Sequence, residues 1–485
     1  MTETVDRRQF LKRGATVSAG VALASGGAQA LSARAALAAP GRRGQRIEAP
    51  NNGGYGPIGP VPDMATGLPL LHLPRGFEYT SFGYSAEYAA ALGEPVTGSD
   101  GYPTPDRHDG MSTFATGRDG VVRLVRNHER GYSPVPFEGS GDEPLVGDPR
   151  YAYDRSSGGA TTTLTFDTDG FQLTDSFISI NGTSVNCAGG PTPWGSWLTC
   201  EETVNGLYNG FTQEHGYVFE VPAFGGVVEE PVPYRAMGRF AHEAVAIDPA
   251  SGIVYETEDN GTTSGFYRYL PDDPRDLRAG GELQMLAVKG RPQFETYHGV
   301  AKRVGNPLPV EWVTIPDPDP RITSSNQDAT GRQAVFSQGW ARGGAAFGRL
   351  EGCWYDGGSV FFNATAGGDE ELGQVWEYRP RGRSGGQLIL LFESPSAELL
   401  DAPDNITVSP RGGLVLCEDG DDEQYVRGLD ERGRIFDLAL NNISENQDKE
   451  FAGACYSPDG DVLFVNIQTP GVSFAIRGPW GRGSV

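Results

Sequence analysis

Asn186-Cys187-Ala188-Gly189-Gly190-Pro191-Thr192-Pro193-Trp194-Gly195-Ser196-Trp197-Leu198-Thr199-Cys200-Glu201-Glu202 reads as a thiol, a Gly/Pro turn and a returning apolar run that ends in two carboxylates. A strand, a tight turn and an antiparallel strand return the chain to its starting edge, so Cys187 and the Glu201/Glu202 pair are expected at one end of a hairpin. The same order of polar start, apolar strand, Gly turn, apolar strand and polar end recurs in five other places. His108-Asp109-Gly110-Met111 runs through Val121–Val125 to Arg126-Asn127-His128-Glu129, and His242-Glu243 through Ile253-Val254-Tyr255 to Glu256, Glu258 and Asp259. Arg349-Leu350-Glu351 returns to Asn363, Asp404-Asn405 to Glu418-Asp419, and Gly453-Ala454-Cys455 to Asn466 and Gln468.

Hairpins repeated at this spacing, with room for one or two further strands between them and no βαβ alternation, predict an all-β fold, a six-bladed β-propeller with loop insertions. Its inner strands would surround a channel, and the polar hairpin ends would converge on one mouth. Asp, Asn and Gly at strand ends also serve as plain turn formers. That explains any one acidic end, but not acidic ends gathered on one side when the opposite turns are Pro-Asp-Gly or Gly-Gly.

Before the propeller, Arg7-Arg8-Gln9-Phe10-Leu11-Lys12, a weakly apolar run from Gly14 and Ala36-Leu37-Ala38 form a twin-arginine export signal over residues 1–38. Its partner is the twin-arginine machinery, and a periplasmic or extracellular location is expected. The run is too short and too rich in Gly, Ser and Ala to span a membrane. Residues 39–64 read as irregular and 65–485 as one propeller domain, expected to be monomeric, with insertions near 206–216, 271–283 and 314–343 lying between blades. A net charge of −24, from 63 acidic and 39 basic residues, argues against nucleic acid as a partner. Five cysteines cannot all pair. Cys200, Cys353, Cys417 and Cys455 fall in or beside strands and read as small buried residues, whereas Cys187 stands at the mouth.

Carboxylate and amide oxygens suit Ca²⁺, while a thiolate among them favours a transition metal. The candidate ligands are Cys187, Glu201, Glu202, Glu243, Glu258, Asp259, Glu351, Asp404 and Glu418, and which member of each acidic pair ligates is left open. Arg349 could clamp an oxyanion bidentately and is the candidate catalytic group. Arg126, Asn127 and Asn186 are candidate substrate contacts by position. His128 and His242 each precede a Glu and can ligate, bond a ligand or cap a turn. No His-x-x-x-His spacing, nucleophile elbow or nucleotide loop is evident.

The twin-arginine leader, Asn127-His128-Glu129, the whole Asn186–Glu202 stretch, Phe240-Ala241-His242-Glu243-Ala244, Pro403-Asp404-Asn405-Ile406 and Phe451-Ala452-Gly453-Ala454-Cys455-Tyr456-Ser457-Pro458-Asp459-Gly460 resemble the PhoX family of secreted alkaline phosphatases. The resemblance implies an iron–calcium cluster (Fe³⁺ and Ca²⁺) in the mouth and hydrolysis of phosphate monoesters, with diesters as further substrates. It also implies that Cys187 holds iron, that Glu243 and Glu351 bridge metals, and that Arg349 binds phosphate. The alternatives are a calcium-dependent propeller lactonase, which leaves Cys187 without a role, and a non-catalytic calcium-stabilised propeller that binds a partner.

Overall fold

The computed structural model describes residues 47–92, 97–131, 145–300, 303–326 and 329–485. The export signal lies outside the described residues. In chain order the strands are β1 (Ile58–Val61), β2 (Leu71–Pro74), β3 (Glu78–Phe82), β4 (His108–Ala115), β5 (Val121–His128), β6 (Gly159–Asp167), β7 (Gln172–Thr183), β8 (Asn186–Pro191), β9 (Ser196–Glu201), β10 (Val218–Pro222), β11 (His242–Ile247), β12 (Val254–Glu258) and β13 (Phe266–Pro271). They continue with β14 (Gly281–Val288), β15 (Leu308–Thr314), β16 (Leu350–Asp356), β17 (Ser359–Ala364), β18 (Gln374–Arg381), β19 (Gly385–Glu393), β20 (Pro403–Val408), β21 (Leu414–Glu418), β22 (Tyr425–Leu429), β23 (Ile435–Asn441), β24 (Phe451–Tyr456), β25 (Val462–Ile467) and β26 (Val472–Arg477).

All pairings within these sheets are antiparallel, and the arrangement is all-β and propeller-like. The strands β4 to β7 form one sheet in chain order, β8 to β10 a second, and β24, β25, β26 and β3 a third. In a fourth, β20 to β23 are extended by β2 and β1. Pairing of Leu308–Val310 with Gly386–Leu388 joins β11–β15 to β19–β16 in a single nine-stranded sheet, so the hydrogen bonding gives five sheets. The innermost strands touch in a closed cycle, β4 to β8, β11, β16, β20, β24 and back to β4.

Strands in such a ring are covered on both faces, which explains continuous apolar runs where a half-exposed strand would alternate. Val462–Ile467 and Ser359–Ala364 are buried at every position. The core is divided into wedges between neighbouring sheets, as in the group Phe82, Met111, Leu124, Leu164 and Phe464 between the last and first sheets of the ring. Each fully buried side chain of this size contributes roughly 1.5–3 kcal/mol.

Two expectations are corrected. The stretch 39–64 contains β1, which has no periodic pattern of its own and forms because β2 offers a partner edge from Leu71 to Pro74. The segments 206–216 and 271–283 fall inside sheets, between β9 and β10 and between β13 and β14, whereas 314–343 follows β15 and contains the short helices Ala329–Arg332 and Ala334–Trp340. Strand β3 completes the sheet of β26, with Phe82 opposite Ser473 and Glu78 opposite Arg477. The ends of the described chain thus close the ring by hydrogen bonding.

Each innermost strand carries a β-bulge at the same place, where two residues oppose one on its neighbour. The pairs are Asp109-Gly110, Cys187-Ala188, Glu243-Ala244, Glu351-Gly352, Asp404-Asn405 and Gly453-Ala454. Next to these bulges, side chains of the second strands cross to the next sheet. Asn127 Nδ2 donates to the Cys187 carbonyl (3.0 Å), Thr257 Oγ1 to that of Glu351 (2.7 Å), Asn363 Nδ2 to that of Asp404 (2.7 Å) and Asn466 Nδ2 to that of Asp109 (2.6 Å). Beneath the bulges lies a cavity of about 20 Å³, lined by Gly110, Ala188, Ala244, Gly352, Asn405 and Ala454 among others.

Gly453 shows why the last bulge has no side chain. Its φ is +64°, and an added Cβ would lie 2.5 Å from the Asp109 carbonyl oxygen. Gly453→Ala is therefore expected to lower stability by about 2–4 kcal/mol, combining left-handed strain and overpacking. Gly59→Ala, where nothing lies within 4 Å, serves as the near-neutral control; denaturant midpoints of the two variants check this.

Candidate metal centre

The bulges aim Asp109, Cys187, Glu243, Glu351 and Asp404 at one end of the ring. Oxygens of Glu243, Glu351 and Asp404 lie within 4.8 Å of one another, all three residues being buried. Cys187 Sγ forms a second such group with Glu129 and Glu202, and Asp109, Glu129 and Glu450 a third. Glu129 belongs to both of the latter, and Cys187 Sγ lies 3.5 Å from Asp109 Oδ2, so these two groups are contiguous. A second tier comes from residues just past the second strands: Glu129 after β5, Glu202 after β9, Asp259 after β12 and Asp419 after β21.

Alternation decides the acidic pairs. Neighbouring residues at a strand end point to opposite sides, so one member of each pair faces the mouth and the other faces into its own sheet. Glu201 accepts from the Ser184, Gly216 and Tyr217 amides and pairs with His215 Nδ1 at 2.6 Å. Glu258 accepts from the Gly265 amide and the Tyr267 hydroxyl, and Glu418 from the Asp401 and Tyr425 amides and Arg427 Nε. These three carboxylates fasten the start of the third strand in each sheet, and none of them belongs to the three groups of possible ligands. Their successors go to the mouth: Glu202 joins Cys187, Asp259 pairs with Arg349, and Asp419 meets Glu450 and Asp404.

The other expected contacts are placed as follows. Asn127 spends its amide on the Cys187 and Ala188 carbonyls and accepts from Trp197 Nε1 and Thr199 Oγ1. Asn186 lies between Thr183 and Thr199. Arg126 is fully enclosed, with Nη1 on the Gly83 carbonyl and the Ser473 hydroxyl. His128 bonds the Asp106 carbonyl and Thr162, and His242 the Gly216 and Phe240 carbonyls and Glu256. None of the five reaches the mouth: Asn127, Asn186, His128 and His242 are spent on the scaffold, and Arg126 is anchored to it through Nη1. Cys200, Cys353, Cys417 and Cys455 are buried free thiols.

Arg349 stands at the rim with its side chain 41% exposed, in a left-handed conformation at φ +47°. Nε and Nη2 lie 3.0 and 2.9 Å from Asp259 Oδ2, and Nη2 is also 2.9 Å from Glu351 Oε1. The remaining nitrogen, Nη1, makes no bond to the protein among the described residues. Sequence reasoning passed over Asp109, Glu129, Asp419 and Glu450, of which all but Asp419 belong to the groups of possible ligands. The first three stand inside the hairpin ends it quoted and follow from alternation, whereas Glu450 precedes β24 with no acidic neighbour to mark it.

The mouth is electrostatically strained. Burial, then repulsion from Glu351 and Asp404, pushes Glu243 well above the usual carboxylate range, and burial with Asp259 and Asp404 does the same for Glu351. Asp404 is raised to about 8 by burial and Asp419. The Cys187 thiol is pushed up by burial and by Asp109, Glu243, Glu202 and Glu129. Both oxygens of Glu243 are buried without a hydrogen-bond partner. Unpaired buried carboxylate is costly unless neutralised, and multivalent cations answer both the unmet acceptors and the repulsion. The donor set of one thiol and many carboxylates fits a mixed hard and soft metal centre.

The sequence profile of the alkaline phosphatase PhoX family matches residues 53–471. No match is found among curated proteins. Among solved structures the chain is similar to a gluconolactonase of Xanthomonas campestris, at 12% identity over 87% of this chain and 98% of that one, with a TM-score of 0.35. A calcium-binding regucalcin of Agrobacterium tumefaciens (9%, 73% and 92%, TM-score 0.35) and a protein of unknown function from Bacteroides thetaiotaomicron (11%, 83% and 76%, TM-score 0.39) are similar at the same level.

The tie that employs Glu201 carries a pH signature. Burial alone would lower the pKa of His215, but Glu201 and Asp154 outweigh it and hold it at about 9, above the ordinary 6.5. A cation stabilised in the folded state contributes fully below pH 6.5, and that contribution is lost as pH rises through about 9. Up to about 3 kcal/mol is at stake at roughly 1.4 kcal/mol per unit. Thermal melts are expected to fall between pH 7 and 10 in the native chain and to flatten over that window in His215→Gln.

Proposed function

The chain belongs to the PhoX alkaline phosphatase family, which makes it a metal-dependent phosphoric ester hydrolase, and from that premise we propose that it is an exported enzyme whose mouth holds iron and calcium and hydrolyses phosphate monoesters and, secondarily, diesters. One observation carries this reading: a buried carboxylate with both oxygens unpartnered, Glu243, lies in a group with Glu351 and Asp404, in the same mouth as a thiol ringed by Asp109, Glu129 and Glu202. Cys187, Glu129 and Glu202 would hold the iron, and Glu243, Glu351, Asp404, Asp109 and Glu450 the calcium and bridging positions. When bound, the metals supply Lewis acidity toward phosphoryl oxygens and cancel the charge that develops on them.

The chain's own residues do the rest. Asp259 and Glu351 hold the Arg349 guanidinium in place, which leaves Nη1 available to a phosphoryl oxygen and means that little ordering entropy is lost on binding. Such preorganised donors commonly account for about 10²–10³ in rate. Arg349 is exposed at the rim, so a phosphoryl group meets its guanidinium there.

The same proposal assigns six blades, one for each innermost strand, and counts the nine-stranded sheet as two because it contains both β11 and β16. It keeps residues 1–38 as the twin-arginine signal, a periplasmic or extracellular location and a monomer. No helix among the described residues is long and apolar enough to cross a membrane. The lactonase and partner-binding readings leave the thiol in the donor group without a purpose, and no feature of the mouth favours either.

Protein produced with its leader is expected to be coloured by thiolate-to-iron charge transfer, to release phosphate from an aryl phosphate at alkaline pH and to lose activity to a calcium chelator. Cys187→Ala should bleach it and reduce kcat at least about a hundredfold. Arg349→Ala should lower kcat/KM by about 10²–10³ with metal content unchanged. A colourless, iron-free native protein with full phosphatase activity defeats the metal assignment, and mass-spectrometric metal analysis decides it.

A further inference from the structure

Outside the mouth, the buried charge of Arg126 is left uncompensated by any carboxylate among the described residues. Arg126 sits on β5 opposite Met111 and Thr162, and its side chain fills the seam between the first and last sheets of the ring. It is 0% exposed. Nη1 donates to the Gly83 carbonyl at 3.0 Å and to Ser473 Oγ at 2.7 Å, so one nitrogen is anchored to the strands that close the ring. Nε and Nη2 have no hydrogen-bond partner, and no carboxylate pairs with the guanidinium among the described residues.

The chemistry that answers such a group is narrow. A guanidinium is not deprotonated in a protein, and an isolated buried cation costs several kcal/mol unless it is paired. The two orphaned groups, Nε–H and Nη2–H, form one edge of the fork that binds a small anion with two parallel hydrogen bonds. The surroundings offer no substitute. The neighbouring core contributes Phe82, Met111, Leu124 and Leu164, and the polar groups nearby are His108, His128 and Thr162. His108 uses Nε2 on the Pro105 carbonyl (3.0 Å) and has its Nδ1 unpartnered as well. Burial beside Arg126 keeps both imidazoles far below their ordinary pKa, so neither competes as a cation.

We infer that this seam holds a small monovalent anion on the Nε/Nη2 edge of Arg126, as an internal counter-ion that helps to close the ring. The site is separate from the metal centre and needs no metal. It is linked to the mouth only through the scaffold: Ser473 Oγ meets Asn466 Oδ1 at 2.5 Å, and Asn466 Nδ2 donates to the Asp109 carbonyl. The guanidinium is wholly enclosed between packed strands, so the ligand class is a halide or a small planar oxyanion such as nitrate or bicarbonate.

The test uses the full mature chain purified and crystallised in sodium bromide, with a parallel preparation in sodium nitrate. An anomalous bromide peak, or a planar nitrate, is expected within hydrogen-bond distance of Nε and Nη2. At equal ionic strength the melting temperature should rise by a few degrees in chloride, bromide or nitrate over methanesulfonate, which is too bulky to enter. Arg126→Met and Arg126→Gln should abolish that difference, the second variant guarding against a failure of the first to fold. A response to nitrate without one to halides supports the oxyanion form of the site. Native density with neither anion and no anion-specific shift means that water fills the fork and overturns the inference, as does a shift that persists in either variant.

Discussion

Crowded negative charge is the constraint on which the rest of this structure depends. Asp109, Glu129, Glu202, Glu243, Asp259, Glu351, Asp404, Asp419 and Glu450 are brought to one pole of the ring, where Arg349 pairs with Asp259 and Glu351. Like charges at such separations repel by about 4 kcal/mol per pair at the effective dielectric of a protein surface. No local propensity offsets that cost. It is met by packing elsewhere, in wedges of apolar side chains between neighbouring sheets that hold each bulge where it is whether or not its carboxylate is content. The scaffold therefore stores unfavourable electrostatics that bound cations relieve, which is how a site becomes both preorganised and selective for high charge.

The bulges convert a sheet into a ligand cage. A regular strand would send alternate residues into the wedges on either side. Inserting one residue at the same place in each innermost strand turns the first bulge side chain, where there is one, toward the axis and leaves the second, Gly or Ala in five of the six strands, to line the channel. The side chains of Asn127, Thr257, Asn363 and Asn466 then bind the carbonyl of the next sheet's bulge. Four of the five bulges that carry a carboxylate or thiol, all but that of Glu243, are thus held by a neighbouring sheet. Amides that read as substrate contacts from their place in the sequence are the ties of this girdle.

Much of this was legible in the chain. The six hairpins, the thiol at Cys187, the acids at Glu243, Glu351 and Asp404 and the arginine at Arg349 all follow from polar ends on apolar strands, because antiparallel pairing returns such ends to one edge. The acidic pairs were not resolved, since choosing Glu202 over Glu201 requires the register of the strand end to within one residue. Strand β1 and the seam strand β3 were invisible for another reason: their partners β2 and β26 are supplied by tertiary pairing, β26 from the far end of the chain, and their own sequences carry no alternation. Arg126 shows the limit of position as evidence. It is one residue from Asn127 and three from Glu129, yet alternation and the bulge beside it turn its side chain into the seam.

The ring is also unequal around its axis, and that inequality shapes the site. Five bulges offer a carboxylate or a thiol, and the sixth offers Gly453, whose missing side chain lets the last sheet press against the Asp109 carbonyl. Donors from that sheet must come from outside the bulge, which is what Glu450 provides, with Gln468 donating to Glu129 at 2.5 Å. The mouth is therefore divided. Glu243, Glu351 and Asp404 form a compact, fully buried group beneath Arg349, while Cys187, Glu202, Glu129, Asp109 and Glu450 form a half-buried arc across the ring's closure. An oxyanion bound by Arg349 would meet the buried group first and the arc with its far side, so an unsymmetrical donor ring gives a tetrahedral ligand one preferred orientation.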